Sequence, residues 1–414
     1  MTQQRATEAP VIGTRGRALA GLADQGFAAA ANAVNALVAG VLLGPAAYGR
    51  YVAAIGVAFI TLAVARAFTG EVLLTYTARA DGGDYRNQVR DAAATSLSIG
   101  GVAVVVSAGI WLLGFELMSD LAWLLPFLPA ALLADAGRYA LLSHLRPQRS
   151  MMITGAALLT QLGMVVALVA NDAVTPAWLL VAWGTGTTVG AGIALGLLRF
   201  NPLRGRPRRW FAATRHLSTW FTGSAVLSQT QNWVALYFVG GYLGHAELGG
   251  LRMLQMLVLM PVQNFIWAVS GLIVPGYSKL AAAGGFGRIR RRTRNLVLVF
   301  IAIAILVLAL VPLGEWLFLR LLPAYREFGV LMWPIAMQAG LYLVQSPLNA
   351  ALRGMQQARS AFLQYVMFVA VLLPASLIGA IAGGVLGAAY GMVVGAIVGL
   401  LAAYFFYRRA LRAT

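Results

Sequence analysis

The sequence predicts an all-α polytopic membrane protein of about twelve transmembrane helices, arranged as two six-helix lobes related by a parallel repeat. Three observations predict it. The 414 residues are 60% hydrophobic and only 11% charged, with a mean hydropathy of +0.77, outside the range of an ordinary soluble chain. Apolar runs of roughly 20 residues, the length that crosses a bilayer core, are separated alternately by arginine-rich and arginine-poor segments. A stretch that begins at Asn32 recurs 200 residues later.

Hydropathy places the spans at 18–43, 50–75, 90–114, 120–143, 150–170, 175–198, 217–243, 250–274, 295–319, 327–349, 360–381 and 385–407. The first run, from Ala18 to Leu43, is too long for the core of a signal peptide, so it is read as a spanning helix. The division that follows is a tail at 1–17, a first lobe at 18–205, a second lobe at 206–407 and a tail at 408–414. Short connections leave no room for a sizeable domain outside the membrane.

Charge sets the orientation. Of 31 Lys and Arg residues, 26 fall on one side: in the two tails, in the loops after the even-numbered spans, and at Arg353 and Arg359. The opposite side is left with Arg50, Arg252, Arg320 and Arg326, and Arg66 lies within a span. By the positive-inside rule both termini are cytoplasmic, in a multi-pass protein of the cytoplasmic membrane. The net charge of +18 thus reports topology and names no nucleic-acid partner. The run "RGRPRR" (204–209) is also suited to acidic headgroups of membrane lipids. Cysteine is absent and three histidines are scattered, which excludes disulfides and leaves no zinc-type cluster; no cofactor is implied.

The repeat aligns "NAVNALVAGVLLGPAAYG" (32–49) with "NWVALYFVGGYLGHAELG" (232–249), with Asn32, Val34, Gly40, Leu43, Gly44, Ala46 and Gly49 recurring 200 residues on. A second match sets "YALLSHLRPQRS" (139–150) against "NAALRGMQQARS" (349–360). Six helices is an even number, so the two halves share one orientation. Rocking of such halves about a central cavity gives alternating access.

The segment "LADQGFAAAANAVNALVAGVLLGPAAYGRYV" (22–52), the "LRG" at 352–354 and the twelve-helix count resemble the polysaccharide flippases of the multidrug/oligosaccharidyl-lipid/polysaccharide exporter superfamily. The resemblance implies passage of a lipid-linked oligosaccharide, sugars on polyprenyl diphosphate, from the inner to the outer leaflet. It leaves open whether the protein works alone or beside a polysaccharide polymerase. Related peptidoglycan-precursor flippases usually carry two further helices. Drug exporters of the superfamily commonly carry acidic residues in the spans of the second half. Here Glu247, Glu315 and Glu327 fall near the outer interface.

Ionisable residues within spans are costly and tend to mark transport paths. Five lie in the first half: Asp24, Arg66, Glu71, Asp135 and Arg138. Arginine keeps its charge and grips phosphate oxygens in pairs, so Arg66 and Arg138 are candidates for the diphosphate, with Arg353 as a contact from the other lobe. Asp24, Glu71 and Asp135 are candidates for ion coupling. The i, i+3 spacing of Asp135 and Arg138 equally allows simple neutralisation. The second half offers amides. Gln229 and Asn232 in "SQTQNW" (228–233), with Gln263, suit sugar hydroxyls.

A flippase is the leading reading, and an ion-coupled multidrug exporter is the alternative. No GxxxxGK[ST] loop is present, so the driving force is an ion gradient, the membrane potential or downstream consumption. A membrane glycosyltransferase would need a catalytic carboxylate on a sizeable outer loop, and the outer loops are only a few residues long. The chain is read as a transporter and not an enzyme.

Overall fold

A computed structural model describes residues 14–76, 82–143 and 146–412, and side chains from Gly26 onward apart from scattered positions. The longest helix, Thr14–Ala65, is broken at Gly44 into α1 (14–43) and α2. α2 (45–76) continues through a π-helical turn, Arg66–Gly70, into Glu71–Tyr76. α3 is Gly82–Leu112. α4 (Leu128–Ser143) is entered through 3-10 turns at Glu116–Trp123 and Leu125–Phe127, later than the span expected from residue 120. Pro126 and Pro129 explain the delay: proline lacks an N–H and is tolerated only where a helix begins. α5 and α6 are Pro147–Ala170 and Pro176–Leu198.

In the second half α7 (207–243) is Pro207–Gln229, a π turn at Thr230–Val234, and Ala235–Leu243. α8 (245–282) is His245–Leu254, a π turn at Gln255–Leu259, and Met260–Ala282. The last π turn sits just before Pro261, whose ring cannot donate to the preceding turn. α9 is Phe286–Ala309 followed by Val311–Leu321, and α10 is Met332–Gly354 after a 3-10 entry at Pro323–Leu331. Ala358–Arg412 is broken at Gly383 and Gly384 into α11 (358–382) and α12 (385–412). Each sequence-predicted span therefore falls on a helix. Among the described residues eight stretches are long and apolar enough to cross a membrane, two of them doubled at glycine breaks; α7 and α8, which carry the amide clusters, are not among these eight.

The hairpins explain the breaks. Tyr51 Oη donates to Asn35 Oδ1 at 3.3 Å across the Gly44 turn. Gly44 has φ 71° and ψ 170°, and Gly244 has φ 119° and ψ −179°. This region is essentially restricted to glycine, so the repeat of Gly44 at Gly244 has a conformational cause. On the α11–α12 hairpin, Gly387, Gly391, Gly395 and Gly399 face Gly379, Ala375, Leu372 and Phe368, which lets the two backbones approach closely.

The two halves meet about a local two-fold axis. A methyl group on Gly49 would collide with the His245 carbonyl, and one on Gly249 with the Pro45 carbonyl. These four positions are two pairs at the offset of 200. The contact is therefore isologous, as expected of related halves. Around it, at the arginine-poor end, Tyr325 Oη donates to the Gly40 carbonyl at 2.8 Å and Tyr48 Oη lies 3.3 Å from Met256 Sδ. Tyr48 and Tyr325 pack edge to face.

Symmetry fails at the basic end. The first turns of α7 lie on the first half: Trp210 Nε1 donates to the Phe68 carbonyl at 3.2 Å, and Phe211 stacks on Phe68. Asp91 accepts from the Arg206 backbone N–H at 2.8 Å and pairs with Arg209 at 3.6 Å. Phe27 of α1, in contrast, lies near Gly155 of α5 in its own half. The π turn at Thr230–Val234 separates the part of α7 held by the first half from the part that packs with α8 and the Ala358–Arg412 hairpin.

Candidate functional site

A cavity of about 340 Å³ lies between the halves. Its first-half wall includes Asn32, Asn35, Arg66, Asp135, Arg138, Thr154, Gln161 and Trp183. The second half contributes Gln229, Asn232, Trp233, Arg252, Met256 and Gln263. Of the residues singled out from sequence, Arg66, Arg138, Asp135, Gln229, Asn232 and Gln263 are thus brought together. Glu71 is exposed and lies past the π turn from Arg66, outside this lining. Arg353 is exposed on the last turn of α10, also outside it. Asp24 is on α1, and its side chain lies outside the described residues.

α2 and α4 build the charged cluster. Arg66 Nε and Nη2 donate to the two oxygens of Asp135 at 3.1 and 2.9 Å, a bidentate pair. Arg138 Nη1 reaches Asp135 Oδ1 at 3.4 Å. The neutralisation expected from the i, i+3 spacing is therefore real but shared: one carboxylate serves two guanidiniums. The Arg66 side chain is 36% exposed against 9% for Asp135, so the arginine faces the cavity while its counterion is sunk in the wall. Its guanidinium also lies 5.5 Å from the Tyr139 ring centroid.

Arg252 was counted from sequence among the outer-side arginines, and the structure corrects this. α8 starts at His245, not 250, so Arg252 stands two turns inside the helix and lines the cavity. No carboxylate among the described residues pairs with it; its guanidinium lies over Trp233, 4.4 Å from the ring centroid. Cation–π contact of this kind is worth about 0.5–2 kcal/mol and leaves the charge uncancelled. At 1.5 Å per residue Arg252 is about 12 Å along α8 from the Gly244 turn, and Arg66 about 33 Å along α2 from Gly44. The cavity thus has a charged station toward each end. Taken together, three arginines and one carboxylate give its described lining a positive balance.

The walls between are aromatic and amide. Phe59 stacks on Trp233 at 5.9 Å and meets Trp183 edge-on at 6.4 Å. Asn35 accepts from Gln161 as well as from Tyr51. Thr154 Oγ1 is buried without a hydrogen-bond partner. In the second half a recess of about 20 Å³, room for one water-sized group, adds Gln255, Gln338 and Tyr342 beside Arg252. Trp183, Thr154, Asn35 and Gln161 were not singled out from sequence, where each reads as one polar or aromatic residue in an apolar span. The pairing of Gly44 with Gly244 was the available signal for Arg252, because it fixes where α8 begins.

The described helices form two six-helix halves that meet at one end around a shared cavity. Some solved structures are similar over nearly the whole chain. The lipid II flippase MurJ in an inward closed conformation has a TM-score of 0.72 at 12% identity, over 94% of this chain and 86% of that one. An inward-facing multidrug resistance MATE family transporter of the MOP superfamily has a TM-score of 0.67 at 15% identity, over 96% of this chain and 95% of that one. An outward-facing MATE family transporter has a TM-score of 0.61 at 14% identity, over 96% of each chain. These are likenesses of fold. No protein-family model matches the chain, and no curated protein matches it in sequence.

Proposed function

We propose that the chain flips a polyprenyl-diphosphate-linked oligosaccharide from the inner to the outer leaflet of the cytoplasmic membrane, for polysaccharide export. Access alternates between lobes 18–205 and 206–407, with both termini cytoplasmic. The observation that carries this reading is the charge of the cavity: Arg66, Arg138 and Arg252 against Asp135 alone among its described lining. A diphosphate needs such a surface, and the charge on arginine persists in a low-dielectric site. Amides at Gln229, Asn232 and Gln263, with the indoles of Trp183 and Trp233, provide hydrogen bonds and flat faces for sugar rings. The polyprenyl tail stays in lipid.

Asp135 has a defined part in this reading. It occupies two of the five N–H donors of Arg66, so an entering phosphate competes with it and the carboxylate falls back on Arg138. That exchange keeps the arginines paired at every stage and limits the desolvation cost of an isolated charge. Asp135 lines the cavity and is taken as the coupling carboxylate in this reading; Glu71 is outside the described lining and the Asp24 side chain is outside the described residues. Arg353, exposed on the last turn of α10, is not part of the described lining.

Full-length similarity to MATE family structures favours a second reading, an ion-coupled multidrug exporter. A cationic drug would meet a repulsive cavity. Reconstituted transport separates the two. Leaflet exchange of a fluorescent short-chain polyprenyl-diphosphate oligosaccharide, above that of protein-free liposomes, supports the flippase. Uptake of a cationic dye driven by a pH gradient, with no lipid exchange, overturns it.

A further inference from the structure

A second cluster of arginines stands apart from the cavity. Arg288, Arg291, Arg292 and Asn295 on α9, with Leu296 and Val299, line an open groove of about 440 Å³ bordered on its other side by Leu280 of α8. At about 100° per residue, positions 288, 291, 292, 295 and 299 share one face of α9. Ile289, Thr293 and Phe300 turn inward to the core instead. The groove therefore changes character along its length, from three guanidiniums at the basic end to aliphatic side chains further into the membrane-spanning part.

Its arginines are uncancelled, and one of them is held. Arg292 lies against Gly276 and over Tyr277, 5.8 Å from the ring centroid. No described carboxylate forms an ion pair with Arg288, Arg291 or Arg292. The first turn of α9, from Phe286, adds the positive end of a helix dipole at the same level. From Arg288 to Val299 the stripe runs about 16 Å at 1.5 Å per residue, enough for a phosphate headgroup and the upper half of an acyl chain.

We infer that this groove is a binding site for one anionic glycerophospholipid of the leaflet at the arginine-rich end, its phosphate on Arg288, Arg291 and Arg292 and an acyl chain along Leu296 and Val299. Charge complementarity selects the headgroup, and the aliphatic floor distinguishes a lipid from a soluble anion. The inference is independent of what the central cavity carries. Basic residues at that level also fix topology, and topology counts charge without regard to helix face. The groove makes face decisive.

The test uses that difference. The purified full chain is titrated with phosphatidylglycerol in mixed micelles, and retained lipid is read by native mass spectrometry. Arg288→Gln/Arg291→Gln is compared with Arg290→Gln/Arg294→Gln, which removes the same charge from the opposite face of the same helix. The groove pair is expected to weaken retention by on the order of 10-fold or more and the control pair by less than about 3-fold. Val299→Asp, which leaves every arginine in place, is expected to weaken it as well. Equal losses in the two double variants would reduce the cluster to a topology charge and overturn the proposal. So would inorganic phosphate competing as well as the lipid, or phosphatidylcholine binding equally. Thermal unfolding of each variant separates lost binding from lost fold.

Discussion

The two halves of the molecule share a backbone plan and divide the chemistry. Each begins with a helical hairpin turned at a glycine of positive φ, Gly44 in one and Gly244 in the other. Each offers a glycine one turn later to the carbonyl of its counterpart, Gly49 to His245 and Gly249 to Pro45. Across the cavity the resemblance ends. The first half supplies a compensated cluster, Arg66 and Arg138 on Asp135. The second supplies amides, an indole and the uncompensated Arg252. Conservation of geometry with divergence of side chains is what the proposed function requires: matched hinge surfaces serve alternating access, and unlike walls serve a substrate charged at one part and hydroxyl-rich at another.

The strongest way to break this comparison is at the shared axis. Gly49→Val and Gly249→Val each place a branched side chain against a backbone carbonyl that cannot swing away. Both are expected to lower exchange in liposomes by more than about 100-fold, because a misplaced contact of about 1 Å is worth that much in a positioned site. Loss in one and full activity in the other would deny the two-fold relation.

Next in size is the contrast between the two charge stations. Asp135→Ala leaves two arginines without their shared counterion, and is expected to cost about 3 kcal/mol of stability. Arg252→Ala removes a charge that has no counterion and forfeits about 1 kcal/mol of ring contact. Equilibrium unfolding in detergent should thus rank Asp135→Ala well below Arg252→Ala, whereas ligand binding should suffer more from Arg252→Ala. The reverse order in either assay would erase the distinction between the stations.

The hairpin glycines should behave alike. Gly44→Ala and Gly244→Ala each force a methyl group into a region of backbone space that disfavours it, at about 1–3 kcal/mol. Unequal losses beyond that range, again by equilibrium unfolding, would mean that the turns are equivalent in shape only. The smallest effect expected is at Thr154, whose hydroxyl is buried at the cavity wall without a partner. Thr154→Val should leave stability within about 1 kcal/mol and weaken sugar-bearing substrates more than bare polyprenyl diphosphate. Binding of the two ligands side by side checks this.

Much of the fold was legible because the bilayer imposes its own ruler. Runs near 20 residues placed all twelve helices, whereas the recurrence of Gly44 at Gly244 marked a repeat and was not read as the hairpin turns it proves to be. Details that depend on local backbone chemistry were harder. The start of α4 slips to Leu128 behind Pro126, and α8 begins five residues before the expected 250. That second slip hid Arg252, since a basic residue near a span end is indistinguishable from a topology charge until the helix start is known. Cavity membership was legible for Arg66, Asp135 and Arg138 because charge within a span has few affordable places. For Trp183, Thr154 and Gln161 it was not. In a membrane both lipid-facing and buried surfaces are apolar, so periodicity does not reveal which way a helix is rotated. Glu71, five residues after Arg66 and across the π turn, falls outside the described lining.

The central claim is that the diphosphate is held by cavity arginines at two separate stations, Arg66 in one half and Arg252 in the other. Its most direct test is the affinity of the purified chain for a short-chain polyprenyl diphosphate without sugar, measured for Arg66→Gln, Arg252→Gln and the double variant. Loss of the tighter station should weaken binding about 10- to 100-fold, since a charge-assisted hydrogen bond is worth about 1.5–3 kcal/mol. The double variant should show little binding. Unchanged affinity in both single variants would contradict the claim and leave the positive cavity without an anion to hold.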